Sequence, residues 1–122
     1  MAIALSPISL QRLKTCDPRL IQLMEAVHAR QPISVLCGHR TQAEQDAAFF
    51  AKKSKVKFPG SKHNALPALA VDICPIKANW NDKQQFIDLS VIVKEEAAKL
   101  GLSIKWGGDF KSFFDGPHYE LV

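Results

Sequence analysis

The chain has 122 residues, 47% of them hydrophobic and 23% charged, and carries a formal net charge of +4. That length supports one domain over residues 1–122, large enough to bury a core and too small for two. No apolar run reaches the roughly 18–20 residues that span a bilayer. The start, Met1-Ala2-Ile3-Ala4-Leu5-Ser6-Pro7, lacks the basic segment and long apolar stretch of a signal peptide. Stable membrane insertion and unassisted export are therefore not expected.

Asp17-Pro18 opens the first predicted helix, with Asp17 as N-cap and Pro18 in the first turn. Leu20, Met24 and Val27 continue it at helical spacing to about Arg30, with His28 beside the stripe as a core or surface histidine. Pro32 ends this helix, and Ile33-Ser34-Val35-Leu36-Cys37 reads as a short buried strand closed by Gly38. Thr41 and Glu44 form a capping-box pattern for a helix through Phe49. The polar stretch from Lys52 to Asn64 reads as a long loop, of the kind that often carries function.

A second strand covers Ala68 to Ile73, and its alternation sets Asp72 opposite a core face formed by Leu69, Val71 and Ile73. Asn81 or Asp82 caps the longest helix, which carries Phe86, Leu89, Val93, Ala97 and Leu100 at helical spacing and ends at Gly101. Leu102 to Trp106 makes a third strand. Asp115-Gly116-Pro117 must turn, and His118-Tyr119-Glu120-Leu121 makes a fourth strand. Helices and strands alternate without a regular βαβ series, which favours an α+β fold, a small antiparallel sheet flanked by helices.

Cys16, Cys37 and Cys74 lack CxxC spacing and read as reduced thiols, small buried apolar residues that build neither a disulfide scaffold nor a cysteine-type structural zinc site. Lys52, Lys53, Lys55 and Lys57 read as a solvated loop or as an attractor of a polyanion, nucleic acid or an anionic wall polymer.

His63, Asp72 and His118, with Asp115 three residues before the last, are the parts of a hydrolytic zinc site. Such a site needs three protein ligands, an open position for water and a base. Singly, His63 in its polar loop reads as a surface histidine. Asp72 is harder to dismiss, because a buried carboxylate demands a cation, a metal or strong hydrogen bonds.

Ser61-Lys62-His63, Ala70-Val71-Asp72, Trp106-Gly107-Gly108-Asp109 and Asp115-Gly116-Pro117-His118-Tyr119-Glu120 together resemble the M15 family of zinc peptidases. That family holds D-Ala-D-Ala carboxypeptidases and phage L-alanyl-D-glutamate endopeptidases. Cys37-Gly38-His39-Arg40-Thr41 with Glu44-Gln45 is similar to its Gly-x-Arg-Thr/Ser-x-x-x-Gln element, so the matches run from about Ile33 to Leu121 in family order. The resemblance implies a Hedgehog/DD-peptidase-like fold and a Zn2+ ion held by His63, Asp72 and His118. By the same resemblance Asp115 is the catalytic acid, Arg40 steadies the substrate or the developing oxyanion, and Ser61 lies near the bound peptide.

His63 and Asp72 are nine residues apart, two more than is usual in the family. The extra length falls in Asn64-Ala65-Leu66-Pro67-Ala68 and bears on the substrate pocket more than on the metal. Glu120, on the strand face of His118, is an acceptor for that histidine's outer N–H or an alternative base. His39 is expected in a structural or rim role, Trp106 as core or groove wall, and Asp109 as a turn cap.

The expected function is a monomeric endolysin that cuts the peptidoglycan stem peptide at L-Ala-D-Glu, held in the host cytoplasm until the membrane is permeabilised. A D-alanyl-D-alanine carboxypeptidase and a non-catalytic zinc-containing wall-binding module are the alternatives. A small basic nucleic-acid binder is disfavoured, because no aromatic-rich basic motif supports it.

Overall fold

The computed structural model describes residues 4–122. Among the described residues, four helices accompany a four-stranded sheet: α1 (Pro7–Leu13), α2 (Pro18–Arg30), β1 (Ile33–Cys37), α3 (Gln42–Phe50), β2 (Ala70–Pro75), α4 (Lys83–Leu100), β3 (Ile104–Trp106) and β4 (His118–Leu121). Short 3-10 turns at Lys62–Asn64 and Gly107–Asp109 stand between them. The sheet order is β1-β2-β4-β3 and each neighbouring pair is antiparallel. The fold is α+β, as the interspersed elements predict.

The helix ends follow from their capping residues. Asp17 accepts a hydrogen bond from the Arg19 N–H, and Thr41 and Glu44 close a reciprocal box over the start of α3. Asp82, rather than Asn81, caps α4. Gly101 ends that helix at φ +70°, in the left-handed region where a side chain is strained. α1 is absent from the sequence reading, although Ser6 capping Pro7 repeats the Asp17-Pro18 signal.

The core lies between the sheet and the helices. α2 and α4 pack on each other, α4 lies over β2 and β3, and α1 runs along β1. Leu20, Leu23, Met24 and Val27 from α2 meet Phe86, Leu89 and Val93 from α4 and Val71 and Ile73 from β2. His28 is a core residue whose Nδ1 accepts the Ile33 N–H at 2.9 Å. Trp106 is buried and donates its indole N–H to the Gly116 carbonyl at 2.8 Å, so it belongs to the core and ties down the turn before β4.

β2 starts two residues later than the hydrophobic run suggests. Ala68 is used elsewhere, forming an isolated parallel bridge with Cys16 and donating its N–H to the Thr15 carbonyl. Between β1 and β2, Val35 faces Ile73, but Cys37 rather than Leu36 faces Asp72. This bulge moves Cys37 onto the face of Asp72, where plain alternation would have sent it to the core side.

Tyr119 is fully buried in β4, and among the described residues its hydroxyl has no hydrogen-bond partner. A desolvated, unsatisfied hydroxyl costs about 1–3 kcal/mol. Tyr119→Phe should therefore leave stability unchanged or raise it by about 1 kcal/mol in urea unfolding. A clear loss would show that the hydroxyl is satisfied.

Candidate metal and active site

Asp72 stands in β2 with a partner on each side: Cys37 of β1 and His118 of β4 face it in register. The Lys62–Asn64 turn, capped by the Ser61 hydroxyl accepting the His63 N–H, carries His63 to the same place. Leu69 N–H donates to the Lys62 carbonyl, which anchors this turn to the strand's start.

The result is convergence on one oxygen. His63 Nε2 lies 3.1 Å and His118 Nδ1 3.2 Å from Oδ1 of Asp72, with the two ring centroids 5.1 Å apart. The longer segment between His63 and Asp72 leaves both side chains in contact. His63 is 2% exposed, so the surface reading of this residue fails. Its loop folds inward because the His63 carbonyl accepts the Arg40 N–H at 2.7 Å.

The far nitrogens are also held. His63 Nδ1 donates to the Gly38 carbonyl at 2.7 Å, and His118 Nε2 lies 2.7 Å from Oε1 of Glu120. Outer partners of this type fix the orientation of an imidazole and raise its basicity as a ligand. Glu120 is thereby engaged, by His118 and by Lys62 at 3.5 Å, which suits an acceptor better than a free base.

Cys37 is half-buried and at the site, which corrects its reading as one more buried apolar thiol. A ligand atom from each of Cys37, His63 and Asp72 lies within 4.8 Å of the others. The β1 bulge places it there, and no residue spacing announces a bulge. Cys16 and Cys74 are buried as expected, and burial pushes the Cys16 thiol up to about 12.

The charges respond to this packing. Burial opposes the His63 imidazolium, but hydrogen bonds to Asp72 and Cys37 outweigh it and push His63 up to about 10. His118 is likewise pushed down by burial and up more strongly by Asp72 and Glu120. Burial disfavours the Asp72 carboxylate, yet the two histidines hold it well below the usual carboxylate range. Burial and the Asp72 charge push Asp115 upward, the shift expected of a carboxyl that exchanges protons.

A cavity of about 590 Å³ opens over these residues, and Arg40, Ser61, His63, Asp72, Asp115 and His118 all line it. Every residue expected at the site from the sequence is thus brought to one cavity. Asp115 is aimed by its backbone, with its N–H donating to the Gly107 carbonyl at 3.0 Å and its carbonyl accepting the His118 N–H at 3.2 Å. Arg40 Nη2 lies 3.9 Å from Oδ2 of Asp72.

Gln45 positions Arg40. Fully buried, it accepts from Arg40 Nη1 at 3.0 Å and Asn64 Nδ2 at 3.2 Å, and donates to the Ser54 hydroxyl at 2.9 Å and the Val56 carbonyl at 2.7 Å. Its capacity is filled. Its place in the Gly-x-Arg motif is the only sequence signal that marks it.

His39 has the structural role expected, with its N–H on Thr15 Oγ1 and its ring on the Ala65 carbonyl. Asp109 caps no turn by side-chain hydrogen bond; it pairs with Lys94 at 2.9 Å on the cavity wall.

Residues 1–122 match the family model described as "Phage L-alanyl-D-glutamate peptidase". The fold is also similar to the crystal structure of the Serratia marcescens L-Ala D-Glu endopeptidase ChiX. The TM-score is 0.84 at 27% sequence identity, over 99% of this chain and 91% of that one.

A Cβ on Gly107 would lie 2.1 Å from the Asp115 carbonyl oxygen, so the turn that aims Asp115 requires glycine. Gly107→Ala should cost about 1–3 kcal/mol in denaturant unfolding, as overpacking does. An unchanged midpoint would contradict the close approach.

Proposed function

This chain belongs to the phage L-alanyl-D-glutamate peptidase family, and from that premise we propose that it is a zinc-dependent endolysin cutting the L-Ala–D-Glu bond of peptidoglycan stem peptides. The observation that carries the reading is the meeting of His63 and His118 on one oxygen of Asp72 at the floor of a cavity. We take these three as the metal ligands.

The donor set suits zinc. Two imidazoles and a carboxylate, each imidazole backed by an outer acceptor, match the three-ligand pattern of hydrolytic sites. Zinc supplies Lewis acidity, polarising a carbonyl and making water acidic near neutral pH. Cys37 is close enough to compete as a donor, and its thiol is separately occupied by Arg40 Nη2 at 3.9 Å and by its own contact to the Gly38 carbonyl at 3.6 Å.

The remaining steps fall to the chain. Asp115 accepts a proton from the attacking water and delivers it to the departing amine; its raised affinity for protons serves both transfers. Arg40, fixed by Gln45, presents a guanidinium where negative charge develops on the carbonyl oxygen. Ser61, holding the His63 turn and lining the cavity, lies at the edge of the bound peptide.

We take the protein to act as a monomer, with residues 1–122 forming one catalytic domain. It waits in the host cytoplasm and reaches the wall once the membrane is permeabilised. None of its described helices is long and apolar enough to cross a membrane. Its net charge of +4 favours an anionic wall.

Incubation of the zinc-loaded protein with purified muropeptides tests the bond cleaved. A new L-Ala carboxyl terminus is expected; release of D-alanine would indicate a carboxypeptidase, and no cleavage would indicate a non-catalytic module. Asp115→Asn should lower kcat about 10²–10⁴-fold while keeping its zinc; full activity in that variant would remove Asp115 from catalysis. His118→Ala should lose the metal, whereas Cys37→Ser should retain it, and the reverse pattern would move ligation to Cys37.

Zinc binding should also release protons. Hydrogen bonds to Asp72 and Cys37 push His63 up to about 10, so that ring is protonated at neutral pH before any metal binds, and Asp72 and Glu120 push His118 in the same direction; ligation displaces protons from the site. Affinity should therefore rise with pH through neutrality until the His63 proton is lost near about 10, and calorimetry in buffers of different ionisation enthalpy should register the release. A pH-independent affinity would mean that these imidazoles are not ligands.

A further inference from the structure

The cavity is polarised. Its floor holds the buried histidines with Asp72 and Asp115, and its mouth carries the exposed side chains of Lys53, Lys55 and Lys111. Three of the four carboxylates lining the cavity are paired elsewhere: Asp109 with Lys94, Glu120 with Lys62 and His118, and Asp72 with both histidines, while the fourth, Asp115, lies at the floor and, among the described residues, forms no salt bridge with the lysines. Among the described residues, none of the three ammonium groups forms a salt bridge. Lys105 also lines the cavity, but it faces Glu120 across the β3–β4 ladder and sits 5.4 Å from the Phe110 ring.

These lysines are not placed at random on a solvated loop. After α3 the chain turns at Lys52, which has φ 60°, and the next residues are pinned by Gln45 through Ser54 and Val56. The same buried amide holds Arg40, so the segment bearing Lys53 and Lys55 is locked to the catalytic arginine. Residues 110–113 approach this segment, with Lys55 Nζ 6.0 Å from the Phe113 ring. Lys111 lies between Phe110 and Phe113 in the chain, and the rings of those two residues pack with centroids 5.3 Å apart.

A glutamyl residue inside a peptide uses one of its carboxyl groups for the chain and leaves the other ionised at neutral pH. A substrate cut at L-Ala–D-Glu therefore carries a carboxylate on the residue that supplies the scissile nitrogen. We propose that Lys53, Lys55 and Lys111 bind this free carboxylate and make its charge a determinant of specificity. The inference rests on the L-Ala–D-Glu reading above. One exposed ion pair contributes little, but several cations focused on one anion at a cavity mouth act together.

The test uses the zinc-loaded full chain and two synthetic stem peptides, identical except that the free glutamyl carboxyl is a carboxamide in the second. The wild type should favour the carboxylate peptide by about tenfold or more in kcat/KM, chiefly through KM, and added salt should shrink the preference. In Lys53→Gln/Lys55→Gln/Lys111→Gln the preference should fall toward unity, and arginine at the same three positions should restore it. Equal cleavage of both peptides by the wild type, or an undiminished preference in the glutamine variant, overturns the subsite alone. If the wild type cuts neither peptide, the L-Ala–D-Glu assignment falls and the subsite with it.

Discussion

A carboxylate in the middle of a sheet is the constraint around which this molecule is built. Asp72 sits in β2 between two other strands with its side chain half-buried, and a largely desolvated anion demands positive charge, a metal or strong hydrogen bonds. His118 meets it from β4 through strand register alone. His63 meets it from a loop, which must therefore be anchored by other means. The Gly38 carbonyl, the Arg40 N–H and the Lys62–Leu69 bond provide that anchorage. Two imidazoles thus share one oxygen, with their outer nitrogens already committed.

Gln45 extends the same logic outward. Its buried amide joins the arginine, the histidine loop through Asn64, and the basic segment after α3. Loss of this hub would leave several polar groups unpaired together, so the floor and the mouth of the cavity are mechanically coupled. The turn before β4 is fixed separately, by Trp106 on Gly116 and by the contact between Gly107 and Asp115. Asp115 and Arg40 therefore reach one cavity on independent supports.

Much of this was legible in the residues. Asp17-Pro18, Thr41 with Glu44, and Gly101 announce helix ends through local hydrogen bonds and φ preferences that do not depend on the rest of the chain. The period of two in β2 separates Asp72 from Val71 and Ile73. The burial of His63 was not legible, because a long polar loop gives no periodicity and its inward path depends on contacts to residues 38 and 40. Cys37 was missed for a related reason. Alternation places it with the core, and only the bulge opposite Asp72 turns it to the site. The family resemblance supplied the ligand order; the strand register and loop anchors explain how those residues meet.

X-ray absorption at the zinc edge of the metal-loaded protein probes the metal's neighbours directly. Two imidazole nitrogens and carboxylate oxygen, with nitrogen and oxygen scatterers alone near about 2.0–2.2 Å, are the predicted shell. A sulfur scatterer near about 2.3 Å would place Cys37 among the ligands, and a shell without imidazole would separate the metal from His63 and His118. Either result would contradict a cation held by two histidines around Asp72.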